Sequence, residues 1–178
     1  REAFQLDVLR PPTYEQLAAT LDLAKEQGRP YHIVHFDGHG IYADPKKLEG
    51  VGKVLSSLML KSDGTGAHGF LMFEDPDSET NGEFVDGFRV GTLLKDSGVP
   101  FLIPNACQSA FAEAPAEPNE KTPGETRNEI EAYGSLAQAV MEAGAAGVVA
   151  MRYSVYVVTA AQFVAELYEA LARGRRLG

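Results

Sequence analysis

Three of the four histidines lie within eight residues, His32, His35 and His39 in the stretch YHIVHFDGHG (residues 31–40), and the sole cysteine is Cys107. A thiol and an imidazole that converge can form a nucleophilic pair, in which the imidazole takes the thiol proton and the thiolate attacks a carbonyl carbon. The glycine after His39 has a use in the same chemistry. With no side chain at Gly40, its backbone N–H can approach a substrate closely and, with the N–H of Cys107, hold a developing oxyanion. Two other readings stand beside this one: a buried structural cysteine, because free Cys is among the most buried residue types, and a thiol redox sensor. Zinc is a third possibility for a histidine cluster. Residues on a strand alternate faces, however, so His32 and His35 are expected on opposite sides, and a metal would have to recruit His68 or a distant carboxylate. No metal and no cofactor is expected.

The composition bounds the function. A chain of 178 residues, 44% hydrophobic and 23% charged, is enough for one globular domain over residues 1–178 with a core of its own. Its formal net charge of -9, with 16 Lys and Arg against 25 acidic residues, argues against nucleic acid and anionic membranes as partners. The longest nearly apolar run, AGAAGVVAM at residues 143–151, is far shorter than the ~20 residues of a spanning helix. One cysteine cannot form an internal disulfide, which fits a reducing, cytoplasmic location.

The elements that must position these residues alternate between strand and helix. Ala3 to Leu9 alternates like a short strand ended by Pro11 and Pro12. Thr13 and Gln16 form a capping box for a helix with Tyr14, Leu17, Ala18, Leu21 and Ala24 on one face and Gly28 as its stop. Tyr31 to Phe36 reads as a strand, with a turn expected at Gly38 and Gly40 and an aspartate, Asp37, of the kind that favours turns. Loop with an apolar patch at Val51 to Leu60, a strand at Gly69 to Phe73 and an acidic loop from Glu74 to Asp86 come next. A short helix carrying Val90, Leu93 and Leu94 leads to VPFLIP (99–104), a run apolar enough for a strand buried on both faces, with Cys107 just past its end. Residues 111–133 read as a long mobile loop, followed by a helix capped by Ser135 and stopped by Gly144, a strand at Gly147 to Met151 and a final helix from Thr159 to Arg173. This order predicts an α/β sheet with helices on its faces, on which His39 and Cys107 would sit at the carboxyl ends of neighbouring parallel strands.

The segments HFDGHG (35–40) and PNACQSA (104–110), each set at the end of an apolar block, resemble the His-Gly and Ala-Cys signatures of caspase-like cysteine peptidases. With VLRPPTYEQL (8–17), GFLMFED (69–75) and the stretch from Gly134 to Leu171, the likeness is to the CHAT family, caspase-like domains associated with tetratricopeptide repeats, and it covers nearly the whole chain. The resemblance implies an open, mainly parallel caspase-haemoglobinase sheet with helices on both faces. It also implies His39 as general acid/base, Cys107 as nucleophile and Gly40 at the oxyanion site, with a protein substrate and helical-repeat or sensor regions as partners in a defence assembly. The order His before Cys separates this family from glutamine amidotransferase-like enzymes, whose nucleophile comes first. A catalytically silent scaffold of the same family is the alternative.

Asn105 and Asp37 are the candidate substrate-binding residues. Relatives that cut after Arg or Lys carry an aspartate two positions before the cysteine; the neutral amide of Asn105 removes one support for that specificity. The acidic residues Glu74, Asp75, Asp77 and Glu79 read as a solvated loop. The loop at 111–133 stands where caspases carry an activation linker, with Lys121 and Arg127 as exposed cleavage candidates and a gating role expected. Phe163, Leu167, Tyr168 and Leu171 of the last helix are expected in the core, and the chain is expected to be a piece of a longer protein, truncated at both ends.

Overall fold

A run such as VPFLIP has no polar face, so it is stable only as a strand with neighbours on both edges and cover on both sides. In the computed structural model, which describes residues 4–43, 68–78, 81–107, 135–150 and 157–175, this run forms most of β4 (Phe101–Cys107), with Leu102, Ile103 and Pro104 buried. The chain order is α1 (Tyr14–Glu26), β1 (Ile33–Ala43), β2 (His68–Phe73), β3 (Glu83–Asp86), α2 (Gly87–Asp96), β4, α3 (residues 135–142), β5 (Gly147–Val148) and α4 (Val157–Ala172). The five strands form one open sheet in the order β3-β2-β1-β4-β5. β4 runs parallel to β1 and β5, whereas β2 runs against β1 and β3, so the α/β sheet is mixed.

Strand alternation and the pairing register assign each residue to a face. The first face carries Val34 and Phe36 of β1, Leu71 and Phe73 of β2, Val85 of β3 and Leu102 of β4. It packs against Leu21 of α1, Val90 and Leu94 of α2, and Leu136 and Val140 of α3. Each fully buried Leu or Val here contributes about 1.5–3 kcal/mol relative to exposure. The helix ends follow local chemistry. Thr13 accepts a hydrogen bond from the Gln16 N–H and Asp86 one from the Arg89 N–H, each satisfying a donor that the first turn of α1 or α2 leaves over. Gly28 and Gly98, at φ +69° and +74°, take the left-handed conformation that ends α1 and α2.

The second face carries Ile33, His35, Asp37 and His39 of β1, and Phe101, Ile103, Asn105 and Cys107 of β4. α4 meets it through Tyr168, whose hydroxyl lies 3.1 Å from His35 Nδ1 with the two rings stacked at a centroid distance of 5.8 Å. Helices therefore contact both faces. Among the described residues no helix is long and apolar enough to cross a membrane.

Several expectations are corrected. β1 does not turn at Gly38 and Gly40 but runs on to Ala43, because β2 pairs with its second half from His39 to Ala43 and a cross-strand partner outweighs local turn preference. Asp37 is accordingly a mid-strand residue rather than a turn former. Gly38 has a packing reason: a Cβ there would lie 2.9 Å from the Phe36 ring, which folds over it toward Phe73. Cys107 is the last residue of β4, not a residue beyond it. Residues 4–9 form no strand, since among the described residues no strand pairs with them, and Leu6 and Val8 are exposed. The end of the acidic stretch, Glu83 to Asp86, is the buried strand β3. β5 is shorter than expected, and Phe163 is 45% exposed rather than core. The apolar patch at 51–60 and the loop at 111–133 lie outside the described residues.

α2 and α3 touch at backbone distance. A Cβ on Gly91 would come within 2.6 Å of the Val140 carbonyl oxygen and 2.7 Å of the Ala143 Cβ, and one on Gly87 within 2.8 Å of the Leu136 oxygen. Gly91→Ala gains about 1 kcal/mol of helix propensity but forces backbone apart, at about 1–3 kcal/mol. The second effect wins, since a carbonyl cannot rotate away, and chemical denaturation should show a lower midpoint for Gly91→Ala than for the unsubstituted protein.

Burial lowers the His35 pKa below its ordinary 6.5, opposed by the Asp37 carboxylate, and burial raises that of Tyr168 above 10. Near neutral pH both rings are uncharged, and the Tyr168 hydroxyl and His35 Nδ1 share a hydrogen bond. Because His35 binds its proton less readily folded than unfolded, its contribution to stability is present above about 6.5 and is lost as pH falls through the lower, folded value. Melting temperature should rise as pH is raised toward neutrality from below the ordinary His value of 6.5, and His35→Phe, which keeps a stacking ring but cannot titrate, should reduce that rise.

Candidate active site

β1 changes partners along its length. Ile33 to His39 pair with β4 and His39 to Ala43 pair with β2, so His39 alone belongs to both ladders, opposite Cys107 on one side and Met72 on the other. Adjacent strands lie about 4.8 Å apart, and residues opposite each other in a parallel ladder share a face. His39 and Cys107 thus occupy neighbouring positions on the second face, at the point where β4 ends. The side chain of His39 is exposed.

One step back along the same face, Asp37 is paired with Asn105. The Asn105 amide donates from Nδ2 to Asp37 Oδ1 at 3.0 Å, which links the two candidate substrate-binding residues across the strands. One step further back lies His35, half-buried and held by Tyr168. The second face of β1 is therefore graded from a packed histidine to a hydrogen-bonded carboxylate to an exposed histidine.

The ladder also orients the backbone. The Leu102 carbonyl accepts from the Val149 N–H at 2.9 Å, so the polar groups of Leu102 turn toward β5, and alternation turns those of Asn105 and Cys107 toward β1. Pro104 consequently lacks its N–H on the β5 side, beyond the last β5 residue in the pairing, where no ladder bond is lost. By the same alternation Gly40, opposite Leu71 in a pair that does not exchange hydrogen bonds, turns its N–H toward β4 rather than β2.

The histidines do not gather. His32 is exposed and precedes β1, His35 is engaged by Tyr168, and His68 packs on the Phe70 ring at 4.5 Å, opposite Ala43 at the far end of β1. Four residues along a strand separate His35 from His39 by about 13 Å, although both lie on the second face. Among the described residues no group of three His, Cys, Asp or Glu has the arrangement to hold a metal ion. In the acidic stretch, Asp75 is built into a turn, accepting from the Asp77 N–H through its carboxylate and from the Ser78 hydroxyl through its carbonyl. Sequence reasoning missed the engagement of His35 by Tyr168, 133 residues away, and no local signal announces it.

Comparison with the curated proteins and with the solved structures gives no match. The model of the CHAT domain matches residues 3–178, which takes in β1 with HFDGHG, β4 with PNAC and the helices around them. The chain that pairs His39 with Cys107 across two parallel strands belongs to the CHAT-domain family, which is related to the cysteine peptidases.

Proposed function

We propose that the chain is the peptidase domain of a regulated cysteine endopeptidase, with a caspase-like fold, in which Cys107 is the nucleophile and His39 the general acid/base. The observation that carries this reading is the register of β1 against β4: two residue types able to form a nucleophilic pair, 68 positions apart, stand directly opposite at the end of a strand. Family membership supports it, since a His-Gly and an Ala-Cys segment stand at the paired positions.

In this reading His39 accepts the Cys107 proton and the thiolate attacks the scissile carbonyl carbon, giving a tetrahedral oxyanion. In this reading the N–H groups of Gly40 and Cys107 hold that oxyanion once the end of the β1–β4 ladder, into which both are turned, opens for the substrate. Collapse breaks the C–N bond, the His39 imidazolium gives its proton to the departing amine, and a thioester remains on Cys107. Water, deprotonated by His39, then attacks the thioester; the C–S bond breaks, the carboxylic acid leaves, and the thiol is restored. Asp37 and Asn105 line the approach one residue pair away. The substrate is a protein, the setting cytoplasmic, and helical-repeat or sensor regions are the expected partners. The intact His39–Gly40 and Ala106–Cys107 pairs favour the enzyme over a scaffold, which would have no chemical need for either.

Cys107→Ala and His39→Ala should each lower cleavage of a partner protein by a factor of at least about 10³, as loss of either member of a nucleophilic pair does. Mass spectrometry of incubated candidate partners reads the new termini directly. Equal cleavage by the unsubstituted protein and both variants would sink the enzyme reading and leave the scaffold.

A further inference from the structure

We infer that Asp37, positioned by Asn105, is the recognition carboxylate for a basic side chain, so that the site takes polypeptides presenting arginine or lysine next to the scissile bond. The inference rests on the peptidase reading above and names its substrate class.

The first ground is place. Asp37↔Asn105 is the residue pair immediately before His39↔Cys107, on the same face, about 6.6 Å along the strands. An extended Lys or Arg side chain spans that length while its own carbonyl stands beside the nucleophile position. The second ground is the cost of the residue. Aspartate is disfavoured inside strands, and Asp37 sits mid-strand between Phe36 and Gly38, exposed, with pairing on both sides of it along β1. Packing gives no reason for a carboxylate there.

The third ground is what the hydrogen bond leaves available. Asn105 spends an amide N–H on Asp37 Oδ1, which aims the carboxylate and directs the amide carbonyl oxygen away from it. The groups still open are Asp37 Oδ2 and Asn105 Oδ1. Both are acceptors, and together they carry one negative charge. The complement is a cation rich in donors: a guanidinium, with several N–H groups to offer, or an ammonium as a point charge. An acidic side chain would be repelled, and an apolar one would strip water from the carboxylate with nothing in return.

Internal neutralisation does not remove the charge. The Asp37 field acts on His35, but burial outweighs it and keeps that ring neutral. Among the described residues, no Lys or Arg pairs with Asp37; its hydrogen bond is to the neutral amide. The neutral residue at position 105 thus does not empty the site of charge, since the carboxylate stands one strand over, on the register partner.

The test separates recognition from turnover. Full-length protein carrying Cys107→Ala is presented with two pools of fluorescent peptides, random except for one position, which is arginine in one pool and its uncharged isostere citrulline in the other. Retention of the arginine pool should be tighter by roughly tenfold or more, the worth of a hydrogen bond to a charged group. Adding Asp37→Asn, whose amide oxygen still accepts from Asn105, should bring the two pools within about twofold of each other. Equal retention of both pools, retention of neither, or an arginine preference that survives Asp37→Asn overturns the inference. The same pools are then given to protein with Cys107 intact. An arginine preference in binding without turnover strikes the peptidase reading and leaves the recognition site standing; turnover indifferent to arginine strikes the substrate class alone.

Discussion

Seven consecutive pairings hold β1 against β4, from Ile33↔Phe101 to His39↔Cys107, and the rest of the molecule depends on that register. A slip of one residue would carry Val34 and Phe36 to the second face and bring His35, Asp37 and His39 against the helices of the first. The apolar residues forbid it. Val34, Phe36 and Leu102 pack with Leu21, Leu94 and Val140, and burying charged or hydrogen-bonding groups in their place costs several kcal/mol. The chemistry of the second face is therefore aligned by hydrophobic contacts on the first, which never touch it.

The same coupling explains why helices that lie away from the site bear on it. α1 and α2 are tied by the Tyr14 hydroxyl donating to the Arg89 carbonyl at 3.1 Å and by the Ser97 hydroxyl donating to Asp22 at 3.1 Å. α2 and α3 meet through Gly87 and Gly91 with no side chain between their backbones. Together they form a close-packed layer, and in such a layer strain is transmitted rather than absorbed. The second face is built differently. Polar groups run up the β1–β4 seam from His35 to His39, and α4 meets it at Tyr168.

A gradient of burial along one strand separates the roles of three similar residues. His35 is held neutral near pH 7 by burial, Asp37 is exposed and accepts from Asn105, and His39 is exposed at the ladder's end. Position along the strand, rather than residue type, decides which histidine is packed and which is exposed.

Much of this architecture was legible in the residues alone. The capping threonine, the glycines that end α1 and α2, and the apolar run of β4 act through interactions between residues near in sequence, and each appears where its chemistry requires. The candidate pair was legible too, because His39 and Cys107 are rare residue types at the ends of apolar blocks. Local preference misled where a distant partner prevailed: Asp37, Gly38 and Gly40 carry the composition of a turn, yet β4 pairs the first two and β2 the third, and the strand runs through all of them. The Asn105–Asp37 hydrogen bond and the His35–Tyr168 contact join residues 68 and 133 positions apart. No local pattern encodes such contacts, because they exist only once the hydrophobic layer has chosen the register and brought the segments together.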